Sequence, residues 1–555
     1  MSTPRTLPEA LADAARGEAG FCFQSGAVDS WSSYAEIRRQ SLQVAGALRE
    51  AGLRRGDLVA LVLPDGEQFL TALFGASIAR VIPASLYPPA TTADLPRYIE
   101  LTAAILNAAE VRAVVTSRAF VAAFADARAM CPQLSLVLCR EDLDAPADEP
   151  MDPPALDDVA FVQFTSGSTS LPKGVALSHA NLAANIDAFA GPAGVAVATD
   201  DVAVSWLPLN HDMGLVGMAL GALYTRRPCV LLTPQTFVKR PAEWLRAITR
   251  HRGSISFAPN FAFDLCIRRI KDLSGLDLSS WRIAGCGAEP IHPSTLAAFA
   301  EKFAAVGFRE TSFLPSYGLA EHVLAATFPP RGRGLHVERV AANDLADRRV
   351  AVDAADDNNL VTSLVSCGSP LPGHRLLIAD ENGQPLPERH VGEILLAGPS
   401  VMLGYYKQDA LTAEVLRDGG LRTGDLGYLS NGELFVCGRI KDLIVVHGRK
   451  YHPQDLEWAA DDVNGVRRGR VVAFGVESSS ADRVVIVVEP SGTVSSEVLA
   501  EAIRRRIGDL FGLYVDEVAI VPSGTVGRTT SGKVQRAMTK ERYVRGEWSA
   551  EGLRA

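Results

Sequence analysis

The sequence predicts an α/β fold in which a large N-terminal part precedes a smaller α+β domain. Strand-like apolar runs alternate with amphipathic helical segments over most of the chain, which is typical of parallel α/β units. The composition is that of a folded protein, because 47% of the residues are hydrophobic and 21% are charged. With 555 residues the chain exceeds the size of one hydrophobic core, so we expect several domains.

The first α/β region extends to about residue 140. The segments "DLVALVLPDG" and "RAVVTS" have the apolar runs of buried strands, and "EQFLTALFGASIARV" has the spacing of a helix. The stretch that follows, residues 140–158, is acidic and rich in proline. Because this composition is typical of a connector, we interpret it as a linker between two subdomains.

A second α/β region runs over residues 159–328. It contains the longest apolar stretch, residues 213–224, which is too short to span a bilayer and is expected to form a buried helix. Further on, a Glu-Asn-Gly turn at residues 381–383 predicts a small antiparallel element. Near the C-terminus, "GRVVAFGVE" and "DRVVIVVEP" predict strands and "SSEVLAEAIRRRIGDLF" predicts a helix.

Charge and cysteine usage exclude some classes of function. The net charge of −9 argues against a general nucleic-acid binder, which needs a basic surface. The eight cysteines are scattered singly without a CxxC pair, and we interpret them as reduced, buried residues of a cytoplasmic protein. The N-terminus has no apolar segment of the kind that signal peptides contain. The sequence leaves the oligomeric state open.

A hydroxyl-rich and glycine-rich loop lies between two apolar runs at the start of the second region. Its hydroxyls, flexible backbone and lysine suit the binding of a polyphosphate. It is not a Walker A loop, because Lys173 precedes its glycine, and such a loop alone is more often a flexible turn. The candidate phosphate-binding residues are Thr165, Ser166, Gly167, Ser168, Thr169 and Lys173.

Six ordered motifs give this loop a context. "TSGSTSLPKG", "WLPLNHDMGL", "SYGLAEH", "LRTGDLG", "GRIKDLIVVHG" and "TTSGKVQR" together resemble the core motifs of the acyl-adenylate-forming superfamily, which includes acyl-CoA synthetases, adenylation domains and luciferases. The resemblance covers about residues 20–545. It implies a large domain, residues 1–440, of stacked α/β subdomains plus a small β-barrel-like subdomain. A small mobile α+β domain, residues 441–555, would follow a hinge near Lys441.

Within the superfamily the chain resembles the fatty acyl-AMP ligases. "SWLPLNHDMGLVG", "LVSCGSPLPG" and the run from "RTGDLGYLSNGELF" to "HGRKYHPQDLE" are close to the motifs of that subgroup. The polar segment at about residues 329–366 lies where these ligases carry a characteristic insertion. In the family this insertion packs against the hinge region and is thought to hinder transfer to coenzyme A.

The resemblance implies a role for each motif. The phosphate loop would hold the β- and γ-phosphates of ATP, and Glu321 would help hold Mg²⁺, a hard cation that suits carboxylate oxygens. Asp425 would accept hydrogen bonds from the ribose hydroxyls, with Arg439 nearby. Tyr317 would stack on adenine in a slot whose residues are Gly287, Ala288, Glu289, Ser316, Tyr317 and Gly318.

The remaining motif residues would bind the fatty acid or take part in movement of the small C-terminal domain. By resemblance His211 would lie at the mouth of the acyl pocket, although a histidine beside Asp212 is often only a satisfied structural pair. Met213, Gly214 and Met218 are candidates for the acyl pocket, and core packing explains them equally well. Lys533 would be a mobile cation that bridges the attacking carboxylate and the α-phosphate. Rotation of the small domain about Lys441 would move Lys533 away from the site between formation of the acyl-adenylate and transfer of the acyl group to a thiol.

The resemblance implies an ATP-dependent and Mg²⁺-dependent fatty acyl-AMP ligase. It would activate a fatty acid as acyl-AMP and pass the acyl group to the phosphopantetheine thiol of a separate acyl carrier protein. The first alternative is an acyl-CoA synthetase with coenzyme A as the acceptor. An alternative of another class is a non-catalytic acyl-nucleotide-binding protein on the same fold, and the presence of Lys533, Glu321 and Asp425 argues against it.

Overall fold

A computed structural model describes residues 3–25, 28–89, 95–146, 152–165, 173–355, 361–417, 419–446, 449–476, 483–492, 494–528 and 534–548. It confirms the α/β fold with a smaller α+β C-terminal part. We call the part before residue 440 the large lobe and the part after residue 442 the small lobe.

One sheet of the large lobe combines strands from both sides of the proline-rich connector. Val159–Phe164 pairs in parallel with Ile82–Ser85, so the interpretation of residues 140–158 as a linker between subdomains is wrong. The connector joins two strands of one sheet. In spatial order the strands are Gly404–Tyr405, Gly174–Ser178, Val159–Phe164, Ile82–Ser85, Leu58–Val62, Ala113–Thr116 and Leu136–Cys139.

The second sheet of the large lobe contains two strands from the N-terminal part of the chain. Gly20–Ser25 pairs in parallel with Cys229–Leu232, and Val28–Ser33 closes this edge as an antiparallel strand. The remaining neighbours are parallel, as the α/β pattern predicts. In spatial order the strands are Phe313–Pro315, Ile283–Cys286, Ile255–Ala258, Ala203–Ser205, Cys229–Leu232, Gly20–Ser25 and Val28–Ser33.

Helices cover both sheets of the large lobe. Tyr34–Glu50 and Gly66–Ile78 approach closely at Gly75, where an added Cβ would lie 2.7 Å from the Val44 Cβ. Thr6 and Ser178 begin their helices with reciprocal capping boxes, which satisfy terminal backbone donors. The other helices include Leu7–Ala14, Leu95–Ala108, Val121–Ala127, His179–Ala190, Gly221–Thr225, Pro234–Lys239, Ala242–His251, Asn260–Arg269 and Pro293–Phe303.

The apolar stretch at residues 213–224 forms the buried helix that the sequence predicts, but its first part has π-helical hydrogen bonding. Met213–Leu220 is the π-helical part, and Gly221–Thr225 continues it as α-helix. Such π segments are rare and occur often at functional sites. We call the two together the channel helix.

A small antiparallel sheet completes the large lobe. Arg375–Ala379 pairs with Gly392–Ala397, and the Glu-Asn-Gly turn lies inside their connection, where Ala379 forms a bridge with Pro385. The predicted turn therefore exists, but the main partner strand begins further along the chain. The other strands of this subdomain are Leu416–Arg417, Gly420–Ser430 and Glu433–Arg439, and the shorter strands nearby are Tyr317–Gly318, Ala325–Phe328 and Ser369–Pro370.

The polar segment at residues 329–366 packs on this small sheet. Val337–Ala341 pairs with Val361–Val365, and a π-helical turn, Asp344–Arg348, lies between them in the chain. Its apolar residues share a core with Tyr428 and Phe435, whose rings stack at 5.1 Å. The segment is therefore an ordered extension of the small sheet over its described residues.

The small lobe has the α+β composition that the sequence predicts. Val466–Val476, Arg483–Pro490 and Glu517–Ile520 form its main sheet, and Ile444–Val446 pairs with Arg449–Tyr451. The helices Pro453–Asp461, Ser496–Phe511 and Arg536–Val544 pack around them on cores of their own. All eight cysteines are free, and all except the half-buried Cys139 are buried. Over the described ranges, the helices are too short or too polar to cross a bilayer.

Candidate active site

A cavity of about 2660 Å³ lies where the two lobes meet. Its walls come from both large sheets, the small sheet and the small lobe. One end is polar, and another part runs along the channel helix. Most of the candidate site residues that the structure describes line it, namely Thr165, Lys173, His211, Met213, Met218, Ala288, Glu289, Ser316, Tyr317, Gly318, Glu321, Asp425, Arg439 and Lys441.

The phosphate loop connects the two strands of a hairpin. Val159–Phe164 and Gly174–Ser178 are antiparallel, and the Thr165 N–H donates to the Lys173 carbonyl at 2.9 Å. Both residues therefore reach the cavity at the end of the hairpin. The Lys173 Nζ lies 4.5 Å from the centroid of the Tyr405 ring, a cation–π contact. Ser166, Gly167, Ser168 and Thr169 lie outside the described residues.

Glu321 faces the same polar end from a short 3₁₀ turn, Ala320–His322. Its Oε1 accepts a hydrogen bond of 2.9 Å from the Tyr405 hydroxyl. Burial, and next the charge of Glu321, raises the pKa of Tyr405, so the phenol stays a donor. A carboxylate that lines the same cavity as Lys173 and Thr165 suits a hard divalent cation that is bound together with phosphate oxygens.

Asp425, Tyr317 and Arg439 form a tight cluster at the next part of the cavity wall. The Tyr317 hydroxyl donates to Asp425 Oδ2 at 2.8 Å, and Arg439 Nε donates to Oδ1 at 2.8 Å. Asp425 and Arg439 are direct partners across two antiparallel strands, which explains their proximity. Asp425 raises the pKa of Arg439, while burial, followed by Asp425, raises that of Tyr317.

The candidate adenine-binding residues lie at the ends of two parallel strands. Ala288 adopts a positive φ of 69° beyond the strand Ile283–Cys286, a conformation that is uncommon for a residue with a Cβ. Glu289 accepts a bond of 2.6 Å from the Phe261 N–H. Gly287 lies behind the wall, where an added Cβ would be 2.8 Å from the Ser316 carbonyl oxygen.

His211 and Asp212 begin the channel helix. The ring Nδ1 of His211 lies 2.7 Å from Asp212 Oδ1, and the Met213 N–H donates to Asp212 at 2.7 Å. The structure thus contains the structural pair that the sequence left open, and it also places both residues on the cavity wall. Met213 and Met218 line the cavity. Gly214 instead packs against the Pro208 carbonyl, where an added Cβ would come within 2.3 Å of the oxygen.

The small lobe closes one side of the cavity. Lys533 lies outside the described residues, but Arg528 and Val534 on either side of it form an isolated β-bridge and both line the cavity. The Arg528 guanidinium lies 5.5 Å from the centroid of the Phe261 ring of the large lobe. Lys441 lies in the 3₁₀ turn Ile440–Asp442, at the junction of the lobes.

Two residues of the polar end have no counterpart in the sequence-based candidates. Tyr405 bonds Glu321, and Gln163 lines the cavity with a buried Oε1 that has no hydrogen-bond partner in the described part of the chain. A lone tyrosine or glutamine in an apolar segment gives no functional signal, because most such residues fill the core or a turn. The strand Gly404–Tyr405 reaches the site only through its pairing with Gly174–Ser178.

Comparisons with known proteins point to one family. A model described as AMP-binding enzyme matches residues 12–406. A Caulobacter vibrioides protein, provisionally named an acyl-CoA synthetase, is 36% identical over 98% of this chain and 96% of its own. The medium-chain-fatty-acid–[acyl-carrier-protein] ligase JamA of Moorena producens is 33% identical over 93% of this chain and 91% of its own. A structure from a study of fatty acyl-adenylate ligases of E. coli and L. pneumophila superimposes with a TM-score of 0.93 and 35% identity, covering 98% of both chains.

Proposed function

Because the chain belongs to the AMP-binding enzyme family, we propose that its cavity binds ATP and a fatty acid and joins them as acyl-AMP with release of pyrophosphate. The main support for this proposal is that one continuous cavity is lined by the Asp425 cluster, Glu321, Lys173 and the start of the channel helix. Relatives named for fatty-acid ligation and fatty acyl-adenylate ligation support the substrate class.

Different polar residues would bind the ribose, the adenine and the phosphates of ATP. Asp425, fixed by Tyr317 and Arg439, would accept from the ribose hydroxyls, because each of its oxygens holds one donor and can accept a second. Gly287, Ala288, Glu289, Ser316 and Gly318 would frame the adenine. Thr165 and Lys173, with Ser166, Gly167, Ser168 and Thr169, would hold the phosphates.

Glu321 would hold Mg²⁺ together with phosphate oxygens of the nucleotide. The carboxylate faces the cavity and is oriented by a neutral phenol, so a cation would find a hard oxygen ligand there. When bound, the cation would help neutralise the negative charge of the pyrophosphate group. The chain itself supplies position, because the substitution at the α-phosphorus needs the attacking carboxylate and the leaving group in line.

Lys533 would complete the first half-reaction as a point charge between the fatty carboxylate and the α-phosphate. The carboxylate oxygen forms a bond to phosphorus, and the bond to the pyrophosphate oxygen breaks. His211 would orient the acid at the mouth of the channel. Support for this role of Lys533 comes from its described neighbours, Arg528 and Val534, which both line the cavity.

The second half-reaction would need the small lobe to turn about Lys441. We propose domains at residues 1–440 and 441–555, because the turn Ile440–Asp442 follows the last strand of the small sheet of the large lobe, and Ile444 and Tyr451 beyond it belong to the core of the small lobe. A rotation there would withdraw Lys533 and admit a thiol to the mixed anhydride.

We favour the phosphopantetheine thiol of an acyl carrier protein as the acceptor, with coenzyme A as the alternative. The insertion supports this choice, because Arg449 of the small lobe donates from Nε to Asp347 of the insertion at 2.9 Å. A contact of this kind restrains the lobe in its present position. The relative JamA is named as a ligase to an acyl carrier protein, while the Caulobacter relative carries the name of an acyl-CoA synthetase.

A two-acceptor assay tests the proposal. Purified protein is incubated with ATP, Mg²⁺ and a labelled fatty acid, and acyl transfer to a phosphopantetheinylated carrier protein is compared with transfer to coenzyme A. We expect acyl-AMP in both mixtures and efficient transfer only to the carrier. Lys533→Ala should abolish fatty-acid-dependent exchange of pyrophosphate into ATP, whereas Lys450→Ala, in the strand Arg449–Tyr451 of the same lobe and outside the cavity lining, should retain it. Abundant acyl-CoA would favour the alternative acceptor, and absence of exchange with any acid would contradict an enzymatic role.

A further inference from the structure

The apolar part of the cavity follows the channel helix over its whole length. Residues at helical spacing line it from the nucleotide side to the far end, namely Met213, Gly217, Met218, Gly221, Ala222 and Thr225. From Met213 to Thr225 a helical rise of about 1.5 Å per residue gives a path of roughly 18 Å. An extended chain advances about 1.2 Å per bond, so the path suits a chain of roughly 15 bonds.

Small residues let the opposite wall pack closely on the channel helix. Gly217 faces Leu324, and an added Cβ would lie 2.9 Å from its Cδ2. Gly221 faces Phe189, and an added Cβ would lie 3.2 Å from its ring. Larger side chains at these positions would displace Leu324 and Phe189, and both of these side chains line the cavity. The middle of the channel is therefore narrow, apolar and suited to methylene groups.

The far end of the channel is polar. Arg227 lines it, and its Nε donates to the Thr225 carbonyl at 3.0 Å while another nitrogen donates to the Thr199 carbonyl. Its neighbour Arg226 pairs with Asp13, but Arg227 has no carboxylate partner among the residues that the structure describes. A guanidinium carries five N–H donors in a rigid planar arrangement, so hydrogen bonds to two carbonyls leave further donors available.

The other charged group at this end is already neutralised. Asp201 accepts from Arg282 Nε at 2.8 Å, from the Ser254 hydroxyl at 2.7 Å and from the Ala198 N–H at 2.7 Å. It is buried and fully engaged, so it does not compete for Arg227. The end of the channel thus offers positive charge to whatever chain reaches it.

We propose that the channel takes long-chain acids whose far end carries an oxygen, as a hydroxyl or a carboxylate, and that Arg227 receives this oxygen. The inference rests on the proposed function, since it names the substrate class of the same site. If the channel ended in an apolar pocket, a terminal oxygen would lose its hydrogen bonds to water there without gaining others. Arg227 replaces them with a charge-assisted bond.

Three acids of equal length test the inference in the unmodified protein. Hexadecanoic acid, 16-hydroxyhexadecanoic acid and hexadecanedioic acid are compared by kcat/KM in the pyrophosphate exchange assay. We expect the oxygenated acids to be used as well as hexadecanoic acid or less than tenfold worse. An apolar end would reject them by about 100-fold. Rejection by tenfold or more would overturn the inference while leaving adenylation itself intact. Exchange with none of the acids would instead contradict the proposed function.

A matched pair of variants assigns the effect to one guanidinium. Arg227→Gln should lower the preference for the oxygenated acids over hexadecanoic acid by about tenfold, the effect of one hydrogen bond to a charged group. Arg226→Gln removes the adjacent arginine outside the channel and should leave the preference unchanged. Equal preferences in the two variants would overturn the role of Arg227.

A third variant tests the path independently of Arg227. Ala222→Leu narrows the channel at about 14 Å along the path, beyond the reach of an eight-carbon chain, so it should lower exchange with hexadecanoic acid more than exchange with octanoic acid. An equal loss for both acids would show that long chains do not follow the channel helix. Near-ultraviolet circular dichroism of each variant checks that the tertiary packing is retained.

Discussion

Hydrogen-bond donors on neighbouring strands hold the key carboxylate of the site, Asp425, in place. Asp425 is buried and accepts bonds from both a phenol and a guanidinium, which fixes its two oxygens. The phenol of Tyr317 cannot become an anion there, because burial and the adjacent carboxylate raise its pKa. Both partners therefore remain donors near neutral pH. This arrangement would make Asp425 a rigid acceptor for the ribose hydroxyls, which is the role that we propose for it.

The first prediction concerns Asp425. Asp425→Asn should raise the KM for ATP by about 10- to 100-fold, because a hydrogen bond to a charged group contributes about 1.5–3 kcal/mol. The asparagine also turns one acceptor into a donor that faces Tyr317 or Arg439. Exchange kinetics at varied ATP concentration measure the effect. Asp409→Asn, which removes an exposed carboxylate of the large lobe outside the cavity lining, serves as the control. An unchanged KM for ATP in the Asp425 variant would contradict the ribose role.

The second prediction concerns Tyr405. Tyr405→Phe keeps the ring beside Lys173 but removes the hydroxyl that orients Glu321. We expect the Mg²⁺ concentration for half-maximal exchange to rise by about tenfold, the effect of one charged hydrogen bond. Tyr406→Phe is the matched control at the next position. If the Mg²⁺ dependence stays the same, Glu321 does not act through this contact.

Sequence alone could assign residues to the site only where a motif surrounds them. Asp425, Tyr317 and Glu321 lie in recognisable motifs, and the structure brings all three to the same cavity. Tyr405 lies in an apolar segment, and Arg227 follows another arginine just after the channel helix; neither segment matches a motif of the site. The position of Tyr405 depends on strand pairing, and that of Arg227 depends on the course of the channel helix. Glu321, the partner of Tyr405, is distant in sequence, so local patterns carry no information about this contact.

At the scale of elements, the periodic patterns predicted helices and strands but not their neighbours. The alternation in the first region correctly indicates parallel α/β units. The proline-rich connector, however, returns the chain to the same sheet, because Val159–Phe164 completes it beside Ile82–Ser85. The N-terminal strands join the other sheet, far from their neighbours in sequence. Sheet order is decided by long-range packing, and composition at a boundary does not encode it.

The third prediction concerns the helix Pro453–Asp461 of the small lobe. Burial, and then the charge of Glu457, raises the pKa of Asp455 from its ordinary value of 3.8 to about 7. The folded state therefore binds a proton that the unfolded chain releases at lower pH, so ionisation of Asp455 opposes folding as the pH rises. Asp455→Asn should stabilise the protein, with a gain that is small near pH 4, grows up to about pH 7 and is constant above it.

Thermal unfolding from pH 5 to pH 9 measures this dependence. Asp462→Asn, at the exposed end of the same helix, is the control and should change the melting temperature by a similar amount at each pH. A gain for Asp455→Asn that shrinks as the pH rises would have the wrong sign and would contradict a raised pKa.

At the scale of the whole molecule, the small lobe is held at two separate places. On the cavity side, the Trp458 ring meets the His292 ring of the large lobe at 4.6 Å, and Arg528 lies over Phe261. On the opposite side, Arg449 contacts Asp347 and Asn343 of the insertion. The first set surrounds the cavity, while the second involves only the insertion. They can therefore be tested separately.

The last prediction removes the insertion contact without touching the cavity. Arg449→Ala breaks the bidentate pair with Asp347, whose distances are 2.9 and 3.1 Å, and should ease rotation of the small lobe. Since both side chains are partly exposed, the pair contributes at most about 1 kcal/mol, which corresponds to a change of up to about fivefold. We therefore expect acyl transfer to coenzyme A, relative to acyl-AMP formation, to rise two- to fivefold, measured in one assay with separated products. Arg505→Ala breaks an ion pair with Glu501 inside the small lobe and should leave this ratio unchanged. A rise in both variants would indicate general loosening of the lobe, and no rise in the Arg449 variant would show that the insertion does not restrain it through this contact.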